Sequence, residues 1–238
     1  MSQFDKIAER LTRRVARKTS RRSMLTLIGG ALTMLVLVAA CGAAFAGRPL
    51  TVDDANTNEK GAGHVEAWVA RAHGATVVNV APAFAPLDRL ELAATLSRDT
   101  TNQVNASAVQ AKVILTERQD KGCNLGASGG FAHVGSGGGN GKFVNGLFTC
   151  NAGDLGSLHL NLGLTKASGE ASVKTWGVAF EHELGAVTPH LELFGEKGSK
   201  PTVQAGARTE VAKGIQLDGT IGRLDGRSVY SLGVKFQF

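Results

Sequence analysis

The residues best suited to chemistry are few, and their spacing decides what they can do. Gly135-Ser136-Gly137-Gly138-Gly139-Asn140-Gly141-Lys142 has the glycine density of a loop that cradles phosphate with backbone N–H groups. A phosphate loop also needs a Gly at the head of the motif and a Ser or Thr after the Lys. Ser136 and Phe143 stand there instead, so the stretch reads as a flexible hairpin tip. Asp53, Asp54 and Glu59 carry the oxygens a hard cation takes, but too widely spaced for a cation loop, and they read as a solvated N-terminal segment. The histidines lack metal-ligand spacing, and no Ser, His and Asp set stands apart from the many candidates. No catalytic residue, metal ligand or cofactor motif is named, and the expectation is a protein that is not an enzyme.

Cys123 and Cys150 form an even pair in a chain built for export, which points to a disulfide. Folding about the glycine tip brings them onto neighbouring strands, with a stagger for a β-bulge to absorb. The alternative is two free buried thiols. The remaining chemistry is dispersed charge. Glu91, His159, His190, Glu192, Arg208 and Lys235 fall on polar rows of different segments. Scattered charges of both signs suit the lining of a watery passage better than a reaction centre.

The elements that must position these residues are strands. Leu90, Leu92, Ala94 and Leu96 oppose Glu91, Ala93, Thr95 and Ser97; Leu158, Leu160, Leu162 and Leu164 oppose His159, Asn161, Gly163 and Thr165. A period of two makes one face of each strand apolar and the other polar. About twelve such segments follow, at 64–72, 75–84, 88–98, 102–117, 122–134, 141–151, 156–166, 171–183, 187–196, 200–210, 214–223 and 228–238. Their lengths suit membrane-crossing strands of about 9–11 residues. An even number lets the first strand pair with the last and removes both edges. The clearest apolar rows carry no central charge, which favours lipid on that side, although a soluble sandwich shows the same alternation. Trp176, Phe180, Tyr230 and Phe236 are the candidates for an interfacial girdle; Trp68 fits less well because it shares a face with Glu66.

The net charge of +6 belongs to the leader, since residues 1–46 hold eight basic and two acidic side chains. The remainder is neutral, which removes the usual inference from a basic protein to a nucleic-acid partner. Residues 1–46 read as an export signal: a basic start, the apolar run 24–40, and Ala44-Phe45-Ala46, with cleavage expected before Gly47. An uncleaved anchor is the alternative. Ser20-Arg21-Arg22-Ser23-Met24-Leu25 resembles a twin-arginine motif with Met24 in place of the usual Phe, while the strongly apolar run suits the general secretory route. Val38-Ala39-Ala40-Cys41 resembles a lipobox. The domain reading is an export signal at 1–46, an N-terminal periplasmic segment at 47–63 and a barrel at 64–238.

Val229-Tyr230-Ser231-Leu232-Gly233-Val234-Lys235-Phe236-Gln237-Phe238 resembles the terminal strand of bacterial outer-membrane barrels, with Tyr230, Phe236 and Phe238 as its signature. Arg48-Pro49-Leu50-Thr51-Val52-Asp53-Asp54-Ala55 resembles the opening of a Gram-negative family of outer-membrane transporters grouped with a meta-pathway phenol-degradation protein. The resemblance implies an outer-membrane location, contact with outer-membrane lipid, insertion by the barrel-assembly machinery through the last strand, and uptake of small molecules. The expectation is therefore an all-β, up-and-down transmembrane barrel of about twelve strands, following a cleaved signal, that passes small solutes. The alternative is a periplasmic β-structured binding or scaffold protein anchored through a lipid on Cys41.

Overall fold

The computed structural model describes residues 49–238. The expected export signal, the cleavage point before Gly47, the arginine pair and Cys41 lie outside the described residues. Twelve antiparallel strands follow one another: β1 Gly63–Ala72, β2 Ala75–Leu87, β3 Leu90–Asp99, β4 Val104–Ile114, β5 Gly122–Val134, β6 Gly139–Asn151, β7 Ser157–Ala167, β8 Val173–Glu181, β9 Val187–Glu196, β10 Thr202–Ala212, β11 Ile215–Leu224 and β12 Arg227–Gln237. Each pairs with its neighbours in chain order, and β12 returns to β1, so the sheet is a closed barrel. At the closing seam the Gly63 N–H donates to the Phe238 carbonyl at 2.8 Å and the Phe238 N–H to the Gly63 carbonyl at 2.9 Å. Closure leaves no strand edge to pair with another chain.

The turns are short at both ends of the barrel. Those at 88–89, 115–121, 152–156, 182–186 and 213–214 share the end where β1 begins and β12 stops, called here the terminal end. Those at 73–74, 100–103, 135–138, 168–172, 197–201 and 225–226 form the distal end. His73 and Gly74 both have positive φ, as do Asp225 and Gly226. That is the two-residue turn whose twist matches antiparallel strands. The glycine-rich stretch lies at the tip between β5 and β6, as the sequence suggested.

The alternation resolves into an inverted barrel. On β7, Leu158, Leu160, Leu162 and Leu164 are exposed on the outer wall, while His159 is only 3 % exposed. Glu192, Asn124, Thr95 and Asp99 are among the largest fully buried side chains. A soluble sandwich or scaffold would bury the leucines, each worth about 1.5–3 kcal/mol removed from water. With the apolar rows outside, the wall is made for lipid. No helix among the described residues is long and apolar enough to cross a membrane. Phe180, Tyr230 and Phe236 are exposed on the outer wall, and the Phe236 and Phe238 rings stack with centroids 6.2 Å apart. Trp176 shares the outward row of Phe180, and Trp68 shares the inward row of Glu66.

Cys123 and Cys150 are bonded. They are direct cross-strand partners, because Val134 pairs with Gly139 and the ladder runs without interruption to Gly122 and Asn151. The expected bulge between them is absent: the turn is centred two residues earlier than the glycines alone imply. Charge on the outer wall is one-signed. Arg71, Arg98, Lys142, Lys166, Lys174 and Arg223 are exposed in outward rows, all towards the distal end, and no Asp or Glu shares those rows.

Candidate functional site in the barrel bore

Residues 49–62, which the sequence reading set ahead of the barrel as a periplasmic segment, run inside it. The reason is hydrogen bonding. A chain without regular structure leaves its backbone groups unpaired, and the bore supplies polar side chains that satisfy them. The Thr51 and Val52 N–H groups donate to Glu192 Oε2 at 2.6 and 2.7 Å. Asn161 grips Asp53 twice, accepting its N–H at 2.7 Å and donating to its carbonyl at 2.7 Å. Further along, the Ala55 N–H donates to Thr149 Oγ1 at 2.9 Å and the Asn58 N–H to Glu91 Oε2 at 2.8 Å. Asn124 Nδ2 donates to Asn56 Oδ1 at 2.8 Å, and Gln204 Nε2 to Thr51 Oγ1 at 2.9 Å. Strands β3, β5, β6, β7, β9 and β10 are thus tied to one segment across the bore.

Apolar contacts complete the seat. Leu50 and Val52 cluster with Ala179, and Phe194 packs against them. Two wall positions have no side chain where the segment comes closest. A Cβ on Gly177 would stand 2.7 Å from Val52 Cγ2, and one on Gly126 would stand 3.1 Å from the Ala55 carbonyl oxygen. Glycine within a strand often marks such a close approach of another backbone.

Every polar-row residue singled out from the sequence points into the bore, and each belongs to a network. Glu91 is 3.7 Å from Lys112 Nζ, which lies 3.1 Å from Asp53 Oδ1. His159 Nδ1 bonds Thr149 Oγ1 at 2.9 Å, and its Nε2 is 3.5 Å from Glu181. Arg208 holds Glu181 with both terminal nitrogens, at 2.7 and 3.0 Å, the fork geometry favoured for carboxylates. His190 Nε2 is 3.9 Å from Glu192, which also accepts from Gln204 at 2.7 Å. Lys235 is 3.5 Å from Glu66. Asp53, read from the sequence as solvated, is 5 % exposed. Burial pushes its carboxyl up to about 7, against the pull of the Lys112 ammonium and with the help of the Asp54 and Glu91 charges.

Sequence reasoning missed Lys112, Glu181, Thr149 and the docked segment. Lys112 sits in an inward row with Val104, Ala106, Ala108, Gln110 and Ile114 that does not look polar. Asn161 was visible as a polar-row residue, but nothing local marks its partner 108 residues away. Among the described residues, no cluster of His, Cys, Asp or Glu could hold a metal ion.

Beside the docked segment lies a cavity of about 370 Å³, lined by Asp54, Asn58, Glu66, Lys112, His159 and Arg208, and by Arg118, Asp120 and Glu183 from turns of the terminal end. The bore carries Asp53, Asp54, Glu66, Glu91, Glu181, Glu192 and Asp218 against Lys112, Arg208 and Lys235. Residues 47–238 are neutral as a whole, yet these bore residues, of both signs, carry an acidic excess.

A family model described as "Uncharacterised conserved protein UCP029691" matches residues 34–228. The chain belongs to that family. No curated protein sequence matches it. Solved structures with the same fold include the KdgM porin, at TM-score 0.63 and 12% identity over 74% of this chain and 99% of that one. The NanC porin follows at TM-score 0.57 and 12% identity, over 73% and 98%. The outer-membrane protein Omp33 of Acinetobacter baumannii has TM-score 0.51 and 7% identity, over 74% and 97%. Near-complete coverage of those chains shows that the fold of outer-membrane porins is what residues 63–238 adopt.

Proposed function

We propose that the protein is a passive outer-membrane channel for small molecules whose bore is occluded by its own residues 49–62. The observation that carries the reading is a charged, hydrogen-bonding bore enclosed by an apolar outer wall, an arrangement that makes sense only for passage of something polar through lipid. The likeness to porins supports it at the level of the fold. One KdgM structure is described as a complex with oligogalacturonate, an anionic chain. The acidic excess in this bore argues for neutral or cationic solutes instead, since like charge in a narrow low-dielectric passage repels. The fold shared with porins supports a channel over an enzyme. The resemblance of residues 48–55 to the meta-pathway barrels adds small organic molecules as a solute class. The apolar row of β12 that ends on Phe236 and Phe238 suits recognition by the barrel-assembly machinery.

Liposome swelling with the refolded exported chain tests the reading. Deletion of residues 49–59 is expected to raise the swelling rate for small neutral sugars severalfold and to leave heat-modifiable gel migration intact. A deletion variant that folds but passes no solute would overturn the channel.

A further inference from the structure

Lys142 on β6 and Lys166 on β7 are direct cross-strand partners on the outer wall, and both are exposed. Side chains so placed stand about 5 Å apart at Cβ, and like charges there destabilise the pair. The third cation of the group is Lys174 on β8, which faces Leu164 and so stands diagonal to Lys166. None of the ion pairs among the described residues includes any of the three. The acid nearest along the chain is Glu170, in the turn between β7 and β8, and it pairs with none of them. The surface continuing from the lysines towards the middle of the wall is apolar: Val144 is 53 % exposed and Leu164 45 %, and Phe131, which faces Lys142, is 67 % exposed.

We propose that this patch binds an anionic, phosphomonoester-bearing lipid of the leaflet at the distal end. The phosphate would lie between Lys142 and Lys166 within reach of Lys174, and the acyl chains would lie along Phe131, Val144 and Leu164. The proposal rests on the reading above only in that the outer wall meets lipid. Two features point to this occupant. Lysine stems cover apolar surface while their ammonium groups stay at the level of headgroups, and an anion between the paired lysines removes the repulsion the fold otherwise carries. A membrane-facing wall offers no protein carboxylate for that purpose, because no acidic residue stands in an outward row of any strand.

Native mass spectrometry of the refolded chain in a zwitterionic detergent tests it, with lipid A, phosphatidylcholine and inorganic phosphate as separate probes. Lipid A is expected to be retained and phosphatidylcholine released. Lys142→Gln with Lys166→Gln should lower lipid A retention roughly tenfold, while Lys121→Gln with Lys213→Gln, at the terminal end, should leave it unchanged. Equal retention of lipid A and phosphatidylcholine by the unmodified chain overturns the proposal, whether or not the double variant folds. Equal retention of lipid A by a folded double variant overturns it too, and retention of inorganic phosphate alone would show an anion site without a lipid. Solute flux separates this from the channel: lipid retention without flux sinks the channel reading, and flux without lipid retention sinks the lipid site.

Discussion

The bore and the distal outer wall answer the problem of charge in opposite ways. Inside, Glu192 binds two backbone N–H groups and Gln204, Arg208 clasps Glu181, and Lys112 sits between Asp53 and Glu91. Outside, Lys142 and Lys166 face each other without a partner from the protein. Interior charges must be paired because an unpaired buried ion costs several kcal/mol. Exterior charges at a membrane rim can draw counter-ions from the medium or from lipid. The contrast implies that substitutions in the bore change what the protein does by itself, whereas substitutions on the distal wall change how it meets its surroundings.

The largest effect is expected at Glu192. Replacing it with Ala removes the acceptor of the Thr51 and Val52 N–H groups, and hydrogen bonds to a charged group are worth about 1.5–3 kcal/mol each. Docking of residues 49–62 should weaken on the order of a hundredfold, at roughly 1.4 kcal/mol per factor of ten. Swelling rates should rise towards those of the deletion variant, and Lys60 should become an easier site for trypsin. Glu192→Gln keeps an acceptor oxygen and should fall between the two. If Glu192→Ala leaves both readouts unchanged, the segment is not held by the contacts described.

A smaller effect is expected from pH. In the docked segment Asp53 titrates near 7, against about 3.8 for a free aspartate. A carboxyl raised on docking favours the docked form at low pH. That contribution is full below the free value and is lost as pH rises through 7. Flux is therefore expected to increase from pH 6 to pH 8 in the unmodified chain, and Asp53→Asn should flatten the dependence. Burial is the main physical source and the neighbouring Asp54 and Glu91 charges add to it, so Glu91→Gln should move the rise to lower pH. A rise at the same pH in Asp53→Asn would assign the titration elsewhere.

The barrel was legible in the sequence because lipid outside and water inside impose a period of two on every strand. All twelve strands were located, and the ends moved by a few residues where the pattern is locally weak. β2 runs on to Leu87 through Pro86, past a register irregularity after Phe84, where the sequence reading stopped at 84. The inward placement of Glu91, His190 and Glu192 followed from the same alternation. The docked segment was not legible, because residues 49–62 have no periodicity and the wall residues that grip Asn58 and Thr51, Glu91 and Gln204, lie 33 and 153 residues away. Two acids close together ahead of the first strand look solvated until Lys112 is known to face them. The clue that was present is steric: Gly126 and Gly177 interrupt inward rows where a side chain was otherwise expected.

The smallest effect sharpens the contrast from the outside. Lys166→Gln removes one member of the facing lysine pair without touching the bore. In a zwitterionic detergent, where no lipid phosphate is available, the change should stabilise the barrel by a few tenths of a kcal/mol, the scale of cross-strand charge pairs. In lipid A-containing vesicles the same substitution should destabilise it, because the counter-ion that offset the repulsion is held less well. Unfolding temperature followed by heat-modifiable migration in the two media reads this directly. A substitution with the same sign in both media would mean that the lysines do not sense the lipid, and that the outer charges are as self-contained as those of the bore.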